Sequence, residues 1–291
     1  MTTLAATLTD RITQWGKKQD DIRAVFLLGS RARDDHPADQ WSDWDVLVIC
    51  IDPEPYLSES TWLQAIAPIW LTFLEPTAVG NLTERRVLFE GGADADFTFI
   101  SVTLANNLAQ NGFPEEVKEV VRRGMNVLVD KEKFALPLEE LGNDPSQGWN
   151  APPEGEFHAL IQDFLYHGVW VTKKLRRGEM WTAKWCLDGY MKKQLLTMIQ
   201  WHTRATQTWR RNIWHDGRYL EEWADERVPE GLATAFAEYD PSYIAPALKQ
   251  TLYMFHWLTE ETARQWQYTF PPSAYKEVIG WINDHITAVD S

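Results

Sequence analysis

The chain has 291 residues, with 42 acidic against 28 basic side chains and a formal charge of −14. That balance repels phosphate backbones and so disfavours a nucleic-acid partner, while it attracts metal ions and polycationic small molecules or simply keeps the protein soluble. No run reaches the roughly 18 apolar residues of a membrane span, and Cys50 and Cys186 both lie in apolar stretches, so two buried thiols in a reducing cytoplasm are expected rather than a disulfide.

Residues 1–18 predict an amphipathic helix, with Leu4, Leu8, Ile12 and Trp15 at helical spacing. The apolar run Ile22–Leu28 predicts a short strand that stops at Gly29-Ser30-Arg31. The turn-rich stretch Arg33-Asp34-Asp35-His36-Pro37 then leads to a second buried strand at Val46–Ile51. Further strands are expected at Ile69–Leu74, Arg85–Phe89 and Asp96–Val102. Helical patterns lie at Leu57–Ile66, Val102–Ala109 and Pro114–Arg123. Strands mixed with helices in this way argue for an α/β or α+β domain.

The composition changes over residues 137–155, where four prolines and three glycines cannot continue a helix, and the domain boundary is placed there. Downstream, Glu154–Arg177, Met180–Arg204, Ser242–Gln267 and Ser273–Val289 have helical length and periodicity, and Leu160, Ile161, Phe164, Leu165 and Val169 share one face of the first. The expected fold is α+β: a mixed sheet with helices over residues 1–136, a linker over 137–155, and an all-helical bundle over 156–291.

Three short features carry chemistry. A strand ending at Gly29 with Ser30 after it leaves backbone N–H groups at a helix start, where phosphate oxygens bind. The glycine permits close approach, Ser30 adds a hydroxyl, and Arg31 or Arg33 adds charge. In Asp43-Trp44-Asp45, carboxylates two apart along a strand point the same way, and a bound Mg²⁺ relieves their repulsion. Asp96 opens the alternating strand Asp96-Phe97-Thr98-Phe99-Ile100, where an acid is costly without a partner. If that strand lies beside Val46–Ile51, Asp96 completes a triad with Asp43 and Asp45, whereas Asp94 reads as a solvated turn residue.

In this order the features resemble the nucleotidyltransferase superfamily that includes DNA polymerase beta. The resemblance implies a Gly-Ser turn that holds a triphosphate and three carboxylates that hold two metal ions. More closely, the chain resembles the aminoglycoside 6-adenylyltransferases, or streptomycin adenylyltransferases, from the first helix to about residue 270. The likeness lies in Leu28-Gly29-Ser30-Arg31, Asp43-Trp44-Asp45, Leu88-Phe89-Glu90 before Asp96-Phe97-Thr98-Phe99-Ile100, and Leu128-Val129-Asp130-Lys131. It continues in Glu156-Phe157, Leu195-Leu196-Thr197-Met198-Ile199 and Trp201-His202. The family's activity would be transfer of AMP from ATP, with Mg²⁺, to a hydroxyl of an aminoglycoside such as streptomycin.

In the helical half, Asp188 and Lys192 lie four apart and share a face with Lys184. They are either a surface ion pair or, as in related aminoglycoside nucleotidyltransferases, the base for the acceptor hydroxyl and a lysine for the triphosphate, a role Lys184 or Lys193 could also fill. Asp163 is an acceptor contact or a rim acid, as is Glu156, and Trp149 stacks on adenine or sugar or anchors a hinge. The same chemistry with a different acceptor (RNA, a protein side chain or a metabolite) and an inactive nucleotide sensor are the alternatives. The acid balance argues against RNA, and the intact acids argue against the sensor. A monomer is the expected state.

Overall fold

Strands rich in Val, Ile, Leu and Phe, the central ones buried on both faces, build one mixed sheet in the first half of the chain. The computed structural model describes residue 4 and residues 7–33, 35–77, 82–142, 150–207, 213–270 and 272–286. It divides into two compact units, Met1–Ser146 and Gln147–Ser291.

In the first unit, α1 (Leu8–Lys18) precedes β1 (Ile22–Leu28), a four-residue 3₁₀ turn (Gly29–Ala32) and β2 (Trp44–Cys50). A short α2 (Glu54–Ser58) and a 3₁₀ turn (Thr61–Ala65) lead to β3 (Ile69–Pro76), β4 (Thr83–Phe89) and β5 (Asp94–Ser101). Then come α3 (Val102–Asn111), α4 (Glu115–Arg123), β6 (Asn126–Asp130) and α5 (Ala135–Gly142). The sheet order is β3-β4-β5-β2-β1-β6. Only β2 and β5 pair in parallel; the other neighbours are antiparallel.

Both faces of the central strands are covered, while the edge strand β3 is largely exposed. On one face Val25, Leu27, Val46, Val48, Phe97 and Phe99 pack with Trp15, Tyr56 and residues of α1. On the other, Ala24, Phe26, Ile49 and Ile100 pack with Ala105, Val121 and Leu138 from α3, α4 and α5. Asp45 and Asp96 belong to this second face by strand alternation, in register with Leu47–Thr98 and Ile49–Ile100 further along the same strands.

The second unit holds α6 (Glu154–Arg176), α7 (Met180–Trp185), a π-helical turn (Cys186–Met191) and α8 (Lys192–Thr206). They are followed by α9 (Leu220–Trp223), α10 (Arg227–Ala235), α11 (Pro241–Trp266) and α12 (Pro272–Ile286). Its core is one apolar cluster in which the Phe164 and Phe255 rings stack 3.6 Å apart. The expected α+β sheet followed by helices is the observed architecture.

Several elements differ from the sequence expectation. Helix is predicted over Leu57–Ile66, yet α2 ends at Ser58, because Trp62 turns back to donate from Nε1 to the carbonyls of Tyr56 and Glu59 and stacks on Trp15. Helix α5 enters the predicted linker, with Pro137 in its first turn, where a missing N–H costs nothing. The predicted helix Met180–Arg204 contains the π turn, and α9 and α10 occupy a stretch left without elements. Strand β6, expected only as a motif, is a short edge strand beside β1. Both cysteines are buried and free, and no helix among the described residues is long and apolar enough to cross a membrane.

Candidate active site

Register brings the acids together. In the parallel pair, Asp45 lies directly opposite Asp96, and Leu28, the last residue of β1, lies opposite Asp45. Asp43 precedes β2 by one residue and points to the same side as Asp45. One carboxylate oxygen from each of Asp43, Asp45 and Asp96 falls within 4.8 Å of the others, and among the described residues no other His, Cys, Asp or Glu group does this.

The electrostatics show what such a cluster lacks. Burial pushes the Asp96 carboxyl up to about 7, Glu84, Asp45 and Asp43 push it the same way, and Arg86 opposes them. Burial and the charge of Asp43 also raise Asp94, the exposed first residue of β5. Crowded hard oxygen donors with this much mutual repulsion fit a divalent cation of the Mg²⁺ type, which binds through few carboxylates and shares its remaining positions with phosphates.

Gly29 has φ +65°, which favours glycine, and a Cβ there would stand 2.9 Å from Asp45 Cγ and closer still to its Oδ2. The missing side chain therefore makes room for the carboxylate of Asp45. The sequence pointed instead to room for phosphate. Ser30 Oγ is buried and has no hydrogen-bond partner among the described residues, which is unusual for a hydroxyl and fits a site for an oxyanion. The turn is a single 3₁₀ turn rather than the start of an α-helix.

The two arginines of this segment serve the turn. The Arg31 guanidinium lies 3.2 Å over the ring of Trp44 and donates to the carbonyls of Asp43 (2.9 Å), Asp39 (3.2 Å) and Ser42, fixing the stretch that presents Asp43. Arg33 donates to His36 O at 3.2 Å. A third basic group escaped the sequence. Arg86 on β4 lies opposite Asp96, with Nη2 3.0 Å from Asp96 Oδ2 and Nε 2.6 Å from Glu75. Alternation along Arg85-Arg86 requires the two to face opposite sides, and this was the available signal. Arg85 faces the other way and caps α2 through the carbonyls of Tyr56 and Leu57.

In the helical unit, Lys184, Asp188 and Lys192 come together as expected. Lys184 donates to Asp188 Oδ2 and to the carbonyl of Ala237, and Lys192 Nζ lies 3.7 Å from Asp188 Oδ1. Lys192 also donates to Thr251 Oγ1 at 2.9 Å and to Leu187 O at 3.3 Å, and burial lowers its ammonium to about 8. Asp188 Oδ1 is buried without a hydrogen-bond donor. The acid sits in the π turn, a conformation frequent at functional sites.

Asp163 is more occupied than the sequence implied. Tyr190 donates to it at 2.7 Å, Gln194 donates to the same oxygen, and His167 Nδ1 lies 2.9 Å from the other. Glu156 stands exposed in the first turn of α6. Trp149 lies outside the described residues.

Known proteins resemble this chain along most of its length. A family model described as streptomycin adenylyltransferase matches residues 3–285. An aminoglycoside 6-adenylyltransferase of Bacillus subtilis (strain 168) is 23% identical over 236 residues, 79% of this chain and 80% of that protein. One from Campylobacter jejuni is 22% identical over 268 residues, 90% of this chain and 89% of the relative. The crystal structure of an aminoglycoside 6-adenyltransferase from Bacillus subtilis aligns over 99% of this chain and 100% of its own length, at 18% identity and a TM-score of 0.46. With the family match running through both units, the chain belongs to the streptomycin adenylyltransferase family and is a nucleotidyltransferase.

Proposed function

We propose that the protein transfers AMP from ATP to a hydroxyl of an aminoglycoside, with streptomycin the first acceptor to test. The observation that carries the proposal is the cross-strand triad beside the Gly29–Ser30 turn: three carboxylates in mutual reach, next to a buried hydroxyl with no partner. Asp43, Asp45 and Asp96 would hold two Mg²⁺ ions, which supply charge neutralisation at the phosphates and a lowered pKa for the attacking hydroxyl.

The chain's own groups have distinct tasks. Ser30 Oγ and the N–H groups of the turn bind triphosphate oxygens, with Arg33 as the added charge, and Arg31 holds Asp43 in place. Asp188, whose carboxylate is 20% exposed, takes the proton of the acceptor hydroxyl. Lys184 and Lys192 are counter-charges for that carboxylate and for the arriving phosphates. A bond forms between the acceptor oxygen and the α-phosphorus, the α–β phosphoanhydride bond breaks, and pyrophosphate leaves with the electron pair. Positioning and charge carry most of the acceleration in such transfers.

The net charge of −14 suits a polycationic acceptor. The protein is proposed to act as a soluble cytoplasmic monomer without a nucleic-acid partner. The test is pyrophosphate release from ATP and Mg²⁺ with a panel of aminoglycosides, and with GTP in place of ATP. Release that requires an aminoglycoside supports the proposal. Its absence with every acceptor turns attention to a protein side chain, a metabolite or a nucleotide-sensing role.

A further inference from the structure

Near Asp188 the helical unit carries an aromatic surface that the carboxylate chemistry of the sheet does not use. Trp181 and Trp185 stand four residues apart on α7, and each is 69% exposed. Their rings are 11° from parallel with centroids 6.3 Å apart, and Tyr239 meets Trp181 at 62° and 6.5 Å. With Lys184, Asp188 and Gly189 they line a half-open cavity of about 230 Å³. Three large flat rings left in water, converging on one hollow, are the mark of a binding surface rather than of scattered exposure.

Size and charge narrow the occupant. Pockets for drug-sized ligands run to roughly 300–1,000 Å³, so this cavity accepts a single ring and not a whole multi-ring antibiotic. Its charged lining groups are one carboxylate and one lysine, Asp188 and Lys184, so the walls have no excess of negative charge with which to select a cation. What they offer is flat apolar area for the carbon face of a ring and a polar end for its hydroxyls. The Asp188 carboxylate, 20% exposed and paired with Lys184 through Oδ2, supplies the acidic end of the cavity. A Cβ at Gly189 would meet nothing within 4 Å, so that wall of the cavity is open.

We propose that Trp181, Trp185 and Tyr239 form a stacking platform that holds one hydroxylated saturated ring of the acceptor, a cyclitol or pyranose, against Asp188. The inference rests on the acceptor-transfer reading above and adds the residues that decide which ring is presented. These aromatics are positioning residues and carry no proton.

The test is calorimetric titration of the full chain with streptomycin and with kanamycin, with and without a non-hydrolysable ATP analogue and Mg²⁺. It is run on wild type, on Trp181→Ala/Trp185→Ala, and on Trp181→Phe/Trp185→Phe. The alanine pair should weaken binding of the preferred antibiotic by roughly tenfold or more, and the phenylalanine pair should stay within about threefold of wild type. In turnover the alanine pair should raise KM for the acceptor and leave KM for ATP unchanged. Because both tryptophans are exposed, thermal unfolding of the variants should match wild type. Equal affinity in the alanine pair, or no binding of either antibiotic by wild type, overturns the platform. Pyrophosphate release with an unchanged acceptor KM in the alanine pair overturns the platform alone. Ring binding lost with the tryptophans, but without pyrophosphate release by wild type, overturns the transfer reading and leaves the platform standing.

Discussion

Gly29→Ala separates the role of the glycine in folding from its role in presenting Asp45. The new Cβ would stand 2.9 Å from Asp45 Cγ and nearer to Oδ2, so the carboxylate must retreat by about 1 Å or more to reach ordinary contact. A side chain at φ +65° adds roughly 1–2 kcal/mol of strain. For a unit of this size that strain lowers the melting temperature by about 2–8 °C. A misplacement of about 1 Å in a reacting assembly costs on the order of 10²-fold in rate, or about 2.7 kcal/mol of barrier. The expected variant is therefore folded, slightly less stable, and slower in kcat by about two orders of magnitude, measured as pyrophosphate release beside a thermal melt. Gly124→Ala is the counterpart. At Gly124, with φ +141°, a Cβ meets main chain, 2.9 Å from Arg33 N and closer to the carbonyl of Ala32, which cannot swing aside, so stability falls further there. Turnover by Gly29→Ala within about threefold of wild type would refute the idea that the glycine exists to admit the carboxylate.

Other perturbations have definite signs. Arg86→Gln removes a cation 3.0 Å from Asp96 Oδ2, so divalent-cation affinity without nucleotide should rise, as measured by Mn²⁺ titration; an unchanged or weaker affinity contradicts the competition. In the helical unit Arg227 donates to both oxygens of Asp225 and of Glu261, and these bonds hold both carboxylates down at about 2. Folded pKa values below the unfolded ones contribute stability present above about pH 4.5 and lost as pH falls toward 2. The melting difference between wild type and Arg227→Ala should accordingly be full above pH 5 and close on acidification. A difference independent of pH would contradict the assignment. Phe164→Ala opens the stack with Phe255, both fully buried, and should destabilise the helical unit by about 3–5 kcal/mol in denaturant melts, with a loss under 1 kcal/mol counting against that packing.

Much of the site was legible because its signals are local. The spacing of Asp43 and Asp45 fixes a shared face whatever the fold, and a strand that breaks at Gly29-Ser30 announces its turn. The contact of Asp45 with Asp96 is different in kind. It depends on β2 and β5 pairing in parallel across about fifty residues of chain, and only the resemblance to a family made that pairing an expectation. Arg86 had only the alternation of Arg85-Arg86 to mark it, since its role exists only once β4 is placed beside β5. Trp62 overrode a helical pattern by packing on Trp15, a long-range preference that periodicity does not record. The π turn around Asp188 inserts one residue into an otherwise continuous helical pattern, which leaves the apolar spacing on either side intact.

The claim on which the rest depends is that Asp43, Asp45 and Asp96 act as one divalent-cation site. Mn²⁺ binding to the full chain with an ATP analogue, followed by electron paramagnetic resonance, reads it directly. Each of Asp43→Asn, Asp45→Asn and Asp96→Asn should weaken binding by at least about tenfold with an unchanged thermal melt. Wild-type affinity retained in all three variants would contradict the account.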